Sequence, residues 1–381
     1  MFHVKRGFFA GAAAAVAVVL AAGPAAASGW TVVPAGQNAW LISLSADSRS
    51  DAWAVGGPGR FAEHWNGSSW KQATVPDTTF VRGFTLYSVS AASPADAWAI
   101  GHGYEKSLAY HWNGKAWTQA ASNVYWLDVA DLGPGDAYSV GPGLDHWNGS
   151  SWSAATSFPD PGKPGTLTIG GGTDAVELAA ISAAAADDIW AVGTYATNTT
   201  CRCETETFAL HWDGTSWGEV PMPPVDRSTD PNLEYQLTSI DAISPSDVWA
   251  AGYTNDAGST SSLGTLIEHW DGTSWSIVPA PSPGTAPRLT GVSGTSPASI
   301  WAVGYDTPAG GSGPQTLTLH WDGTSWTTVA SPNPDGPSQL EAVSSIPGSS
   351  TVWAAGLTGG TYNPAFGQSG SPNPLTLENN S

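Results

Sequence analysis

The sequence predicts an all-β protein, a seven-bladed β-propeller with four antiparallel strands per blade. Two repeated motifs and the two ends of the repeat array predict it. The first motif, His-Trp-(Asp/Asn)-Gly-x-x-Trp, recurs from His64, His111, His146, His211, His269 and His320. The second, Asp-x-Trp-Ala-Val-Gly and its variants, starts at Asp51, Asp96, Asp136, Asp188, Asp247, Ser299 and Thr351. Seven starts spread over 300 residues set a mean period of 50, the length of one supersecondary unit per repeat.

Each unit contains four strand-like runs. Strand a is exemplified by Leu86-Tyr-Ser-Val-Ser90 and Leu289-Thr-Gly-Val-Ser293, and strand b is the Trp-Ala-Val-Gly run. Strand c, as in Thr316-Leu-Thr-Leu-His-Trp321, places Leu317, Leu319 and Trp321 on one face, and Ser325-Trp-Thr-Thr-Val329 is strand d. Alternation of this kind between Gly, Pro and Asp-Gly turns is the pattern of antiparallel strands. The seventh unit has an a strand at 340–344, a b strand at 352–356 and an expected c strand at 375–377, where Glu378-Asn379 replaces His-Trp. It then stops without a strand d. Residues 29–34, Gly-Trp-Thr-Val-Val-Pro, match a strand d such as Trp275-Ser-Ile-Val-Pro279 and have no strand c before them. The N-terminal strand is therefore expected to complete the last blade, formed by 340–381 plus 29–34, and to remove a free sheet edge.

Residues 1–27 read as a secretory signal peptide. His3, Lys5 and Arg6 give a basic start, an apolar run follows over 8–22, and Ala25-Ala26-Ala27 offers a small-x-small cleavage site. The run is short and Ala-rich for a span of about 20 residues, so no membrane insertion is expected. The mature domain would be 28–381, secreted and extracellular. Without the leader, 10 basic residues face 32 acidic ones, a net charge of −22. That balance argues against nucleic acid as a partner, which calls for a basic footprint. Cys201 and Cys203 stand one residue apart, too close to staple a domain, and in an oxidising compartment are expected to form a local disulfide within one loop.

A strand ending in Gly (Val192-Gly193) followed by an aromatic–turn–Trp hairpin (Trp212-Asp-Gly-Thr-Ser-Trp217) resembles secreted bacterial propellers of the kelch and galactose-oxidase-like superfamily. The resemblance spans nearly all of the mature chain and implies the fold. At the ends of the b strands the kelch double glycine occurs only at Gly56-Gly57, and no activity transfers with the likeness.

Six histidines among many acids invite a metal or catalytic reading, but repeat geometry opposes it. Equivalent residues in a seven-bladed ring are related by rotations of about 51° and cannot converge. Each His is expected to act as a strut, hydrogen-bonded to a turn group such as the Asp of the Asp-x-Trp motif. Of 21 Trp residues, 19 fall on the repeated b, c and d positions and are expected to pack blade on blade. Each buries about 150–250 Å², a gross stabilisation of about 4–6 kcal/mol. The Asp-Gly and Asn-Gly steps suit a tight hairpin, with a two-residue turn or a four-residue loop both open.

Function is expected in the irregular connections. Long b–c loops are predicted at 194–207, 253–264, 305–315 and 357–374, and long d–a loops at 157–177 and 221–236; strand alternation puts both kinds on one face. Seven of the ten basic residues lie there, among them Arg82, Arg227 and Arg288, with Tyr195, Tyr253 and Tyr305 at or just past the ends of b strands. These six are the candidate binding residues. No catalytic residue, metal site or cofactor is assigned, because Gly-x-Ser-x-Gly and His-Glu-x-x-His are absent. The leading expectation is a non-catalytic, monomeric propeller that binds a glycan or a protein. A carbohydrate-active hydrolase or lyase using Asp226, Asp230, Glu234 or Asp256 is the alternative, and a structural surface protein a third.

Overall fold

The computed structural model describes residues 29–380 apart from 78–79, 105, 123–125, 155–175, 197–204, 258, 260, 312 and 364–366. The expected leader and the Cys201/Cys203 pair lie outside the described residues. Strand β1 (Trp30–Val32) precedes blade 1, which comprises β2–β5 (Trp40–Ser48, Asp51–Gly57, Phe61–Trp65, Trp70–Gln72). Blade 2 is β6–β9 (Thr85–Ser93, Asp96–His102, Ser107–Trp112, Trp117–Ser122), and blade 3 is β10–β13 (Asp128–Gly133, Asp136–Val140, Leu144–Trp147, Trp152–Ala154). Blade 4 is β14–β17 (Val176–Ala185, Asp188–Ala196, Thr205–Trp212, Trp217–Val220). Blade 5 is β18–β21 (Leu233–Ser244, Asp247–Asp256, Ser262–Trp270, Trp275–Ile277). Blade 6 is β22–β25 (Thr285–Ser296, Ser299–Thr307, Gln315–Trp321, Trp326–Val329), and blade 7 opens with β26–β28 (Ser338–Ser345, Val352–Asn363, Gly367–Asn379).

These strands make seven four-stranded antiparallel sheets, and β1 is the outer strand of the last, in the order β1-β28-β27-β26. Trp30 pairs with Asn379 and Val32 with Leu377, so the ring closes by joining the two ends of the chain. The connections read as irregular b–c loops in blades 5 and 7 are largely strand: β27 and β28 stay paired out to Asn363 and Gly367, and β19 and β20 to Asn255 and Ser262. The sequence there is rich in Thr, Gly and Ser and gives little alternation, which hides the strand, but the hairpin satisfies the backbone groups a loop would leave open.

The hairpin register is that of a four-residue loop. Trp212 pairs with Trp217, Gly214 takes φ +86°, and the Asp213 carboxylate accepts from the Thr215 N–H (2.8 Å), the Thr215 hydroxyl (2.6 Å) and the Ser216 N–H (2.8 Å). These donors hold the Asp213 carboxyl down at about 2, as their counterparts hold Asp271 and Asp322.

One aromatic arrangement recurs at every blade junction. Strand-b Trp53 lies edge-on against Trp112 and Trp117 of the next blade, with centroids 5.0 and 4.9 Å apart. Trp98, Trp190, Trp249 and Trp353 repeat this against the c and d tryptophans of the following blade. In blade 3 Tyr138 takes the place at looser distances of 6.5 and 6.0 Å from Trp212 and Trp217. Blade 7 lacks the strand-c Trp, and Trp301 packs instead on Trp30 at 5.1 Å. The histidines are the expected struts: five donate from Nε2 to the Asp of the Asp-x-Trp (or Tyr) motif at 2.5–2.7 Å. His320, where Ser299 replaces that Asp, sits 3.2 Å from the Ser299 hydroxyl. Each His ring also covers the strand-b aromatic of its own blade, as His211 covers Trp190 at 4.2 Å.

An inner belt ties the a strands together. Ser45, Ser90, Ser182, Ser293 and Ser344 each accept the backbone N–H of the next blade's strand a at 3.0 Å, and Asp241 accepts that of Gly294 at 2.7 Å. Between blades 3 and 4 Asp128 does this for Ile181 at 3.0 Å.

Two predictions follow from the packing. Trp30→Ala should cost about 3–5 kcal/mol in denaturant unfolding, because it removes the outer half of the closing junction; an unchanged midpoint would refute closure by β1. Glu268, fully buried in blade 5 where blades 4 and 6 carry Leu210 and Leu319, has no hydrogen-bond partner for either carboxyl oxygen. Burial pushes it up to about 8. Between pH 4.5 and about 8 the unfolded chain loses a proton that the folded chain keeps, so its cost grows with pH, to about 4 kcal/mol at pH 8. Glu268→Leu should therefore raise the melting temperature at pH 8 and flatten its pH dependence over that window.

Candidate functional site

The site is built from the glycine that ends each strand b. A Cβ on Gly56, Gly193, Gly252, Gly304 or Gly356 would fall 1.9–2.0 Å from a carbonyl oxygen of the facing a strand. That close approach is allowed only to glycine, and strand a answers it with a bulge. The register shifts by one residue between Leu237 and Ser239, Leu289 and Gly291, and Leu340 and Ala342, with the same shift in blades 1, 2 and 4. The extra residue is turned toward the ring axis, as bulges re-aim side chains elsewhere. Together the a strands of all seven blades line an axial channel of about 490 Å³.

In blades 5 and 6 the bulge residue is a threonine with its hydroxyl near two carbonyls. Thr238 Oγ1 is 3.1 Å from the Ala251 carbonyl and 2.9 Å from that of Leu289, and Thr290 repeats this with Val303 and Leu340. In blade 7 the same position is Glu341, a carboxyl in place of the hydroxyl. Its Oε1 is buried in the channel wall with no hydrogen-bond donor. Arg288 enters from the start of β22, its guanidinium 3.8 Å from the centroid of the Tyr253 ring. It also donates to the Tyr305 hydroxyl. Burial raises Tyr305 to about 12, the Glu341 charge adding to the rise and Arg288 opposing it. Glu341 is raised by burial to about 8, with Arg288 pulling it down. All four side chains are half-buried and line the channel at its loop-bearing end, across blades 5, 6 and 7. On the blade 1–2 side Tyr87 stacks on His102 at 4.0 Å, with Trp40 and Leu357 packed nearby.

Three of the six predicted binding residues, Tyr253, Tyr305 and Arg288, therefore meet. The other three stand elsewhere. Tyr195 packs edge-on against Phe208 at 6.1 Å in the blade 3–4 core. Arg227 is ion-paired with Glu206 and donates to the Thr205 carbonyl at 2.6 Å, pinning the blade 4–5 connection. Arg82 is exposed on the blade 2 loop, 5.8 Å from the Tyr104 ring. Lys163 and Arg202, two more of the basic residues expected on the loop face, lie outside the described residues. Sequence reasoning missed Glu341 and the Tyr87–His102 pair; the one usable signal was the residue between Leu and Ser in strand a, which breaks strict alternation.

The loop carboxylates have local duties. Asp226 accepts the Ser228 N–H at 3.0 Å and Glu234 accepts from Asn255 Nδ2 at 3.3 Å. Asp256 is raised by desolvation and by its hydrogen bond to Asp230. Carboxyls in direct contact are closer than the separation of about 5 Å or more used in glycoside hydrolysis. Among the described residues no group of three or more His, Cys, Asp or Glu is arranged to hold a metal ion.

No protein-family model matches the chain, and no curated protein matches it. Solved structures share its fold. YCF48 bound to D1 peptide aligns with a TM-score of 0.56 at 15% identity, covering 92% of this chain and 98% of that one. The WD40 propeller domain of Doa1 aligns at 0.53 with 10% identity, covering 93% and 98%. The GH74 xyloglucanase from Xanthomonas campestris aligns at 0.58 with 15% identity over 86% of this chain, which spans 53% of that enzyme. Likeness at such identities establishes the propeller fold.

The mouth geometry makes an electrostatic prediction. Arg288 favours the ionised form of Glu341, so Arg288→Gln should move the Glu341 titration above about 8. Carbon-detected NMR of the glutamate carboxyls would follow it, and an unmoved midpoint would show that the two groups are not coupled.

Proposed function

We propose that the protein is a non-catalytic binding propeller that docks a peptide segment of a protein ligand on the face carrying the b–c and d–a loops. The observation that carries this reading is the convergence of Arg288, Tyr253, Tyr305 and Glu341 at the channel mouth, where the repeat is broken. At the Glu341 position blades 5 and 6 hold Thr238 and Thr290, whose hydroxyls bond within the ring. Aromatic faces beside a guanidinium and a carboxylate supply contact area and orientation with few rotatable bonds, as binding sites require. A propeller of the same architecture was solved with a peptide bound, which supports a peptide over a glycan as the ligand class. The acidic surface and the expected leader fit an exported monomer of kelch-like type, which would meet its partner outside the cell.

A peptide-display selection run beside a glycan array, both on the mature chain, tests the reading. Arg288→Ala, Tyr253→Ala and Tyr305→Ala combined should weaken capture by at least about tenfold, the scale of a lost binding centre. Arg227→Ala should leave affinity within about twofold, because Arg227 serves the loop. Capture of glycans alone, or peptide capture indifferent to the triple variant, would reject it.

A further inference from the structure

The identity of the group that enters the channel follows from the charges that line it. Three carboxyl groups, those of Glu341, Asp241 and Asp128, face the channel against a single guanidinium, that of Arg288, and no lysine; a cation entering the channel favours the ionised form of each. Asp128 and Asp241 have donors of their own: Asp128 accepts from the Ser88 hydroxyl at 2.6 Å and the Ile181 N–H at 3.0 Å, and Asp241 accepts from the Gly294 N–H at 2.7 Å. Glu341 differs, since its Oε1 is buried without a donor in a place where blades 5 and 6 put a threonine hydroxyl. A buried acceptor without a donor is costly, and a bound ligand that supplies one recovers that cost. Low-dielectric walls of one predominant charge also focus the field along the axis, and the chain as a whole carries −20. Arg288 offsets this field only in part: it pulls the Glu341 titration down, but one guanidinium faces three carboxyl groups.

We propose that the channel mouth takes a basic side chain of the docked peptide, a lysine ammonium or arginine guanidinium, which donates to Glu341. The residue's apolar stem lies along the Tyr305 and Tyr253 rings, where an unbranched chain fits and snorkels its charge inward. The inference rests on the peptide-docking reading and adds the chemistry of the anchor.

The test selects a random dodecapeptide display library on the wild-type protein, on Glu341→Gln, which keeps side-chain shape, and on Tyr253→Ala/Tyr305→Ala. The expected result is enrichment of peptides with Lys or Arg at one fixed position. Their affinity should fall at least about tenfold on Glu341→Gln and equally when the lysine is acetylated. The acetylation arm leaves the protein untouched and so does not depend on the variant folding. Enriched peptides with no fixed basic residue, or binding retained within about twofold after acetylation, would overturn the basic anchor while leaving the docking face in place. No enrichment, or enrichment indifferent to the tyrosine variant, would overturn both. Free n-butylamine competing at millimolar concentration supports the anchor site, and failure to compete at any concentration counts against it.

Discussion

The structure depends on how a strand-b tryptophan is wedged between two tryptophans of the following blade. Trp53 between Trp112 and Trp117 shows the unit: three indoles meet in edge-on and tilted contacts, and His64 covers the remaining face of Trp53 at 4.4 Å. Indoles bury large areas and favour these offset geometries, so one junction fixes both the spacing and the angle between neighbouring blades. The same unit, placed at every junction, leaves the ring no option but to close. The chain has no strand-c Trp in its last blade, and Trp30 from the other end supplies the contact that the junction needs.

The second consequence concerns the axis. Packing blades this tightly brings their a strands close together, where polar backbone groups require partners. The serine belt and the bulge threonines provide them, and each junction spends its inner side chains on the neighbouring blade. A residue that departs from this scheme has no structural partner waiting for it. Glu341 is the clearest departure, and it lies beside Arg288 and Tyr305, which stand where the belt begins at the loop face. Position thus separates two sets of residues: repeated residues hold the ring, and the proposed site lies where repetition fails.

Most of the fold was legible in the sequence because packing Trp, strut His and turn Gly recur in fixed order. The six copies of His-Trp-Asp/Asn-Gly also revealed their own role, since residues related by large rotations cannot share a ligand. The hairpin register was not legible: Trp212 pairs with Trp217 because Asp213 gathers three donors, a feature of side-chain geometry that spacing does not encode. Nor was the length of the b–c hairpins, whose Gly- and Ser-rich strands lack an apolar face. Three of the four residues at the channel mouth could be picked out as aromatic and basic groups near strand ends. Arg227 and Tyr195 satisfied the same criterion and proved to serve an ion pair and a core, because sequence shows which face a residue is on and not what lies beside it. Glu341 escaped notice because it sits inside a strand, and only the bulge imposed by Gly356 turns such a position to the channel.

The division between ring-holding repeats and a proposed site at their exceptions is tested most directly by hydrogen–deuterium exchange of the protein with and without a selected peptide. Protection should appear in the segments containing Arg288, Tyr253, Tyr305 and Glu341, with the hairpin turns around Asp213, Asp271 and Asp322 unchanged. Protection confined to those hairpin turns, with the channel mouth unaffected, would contradict the account.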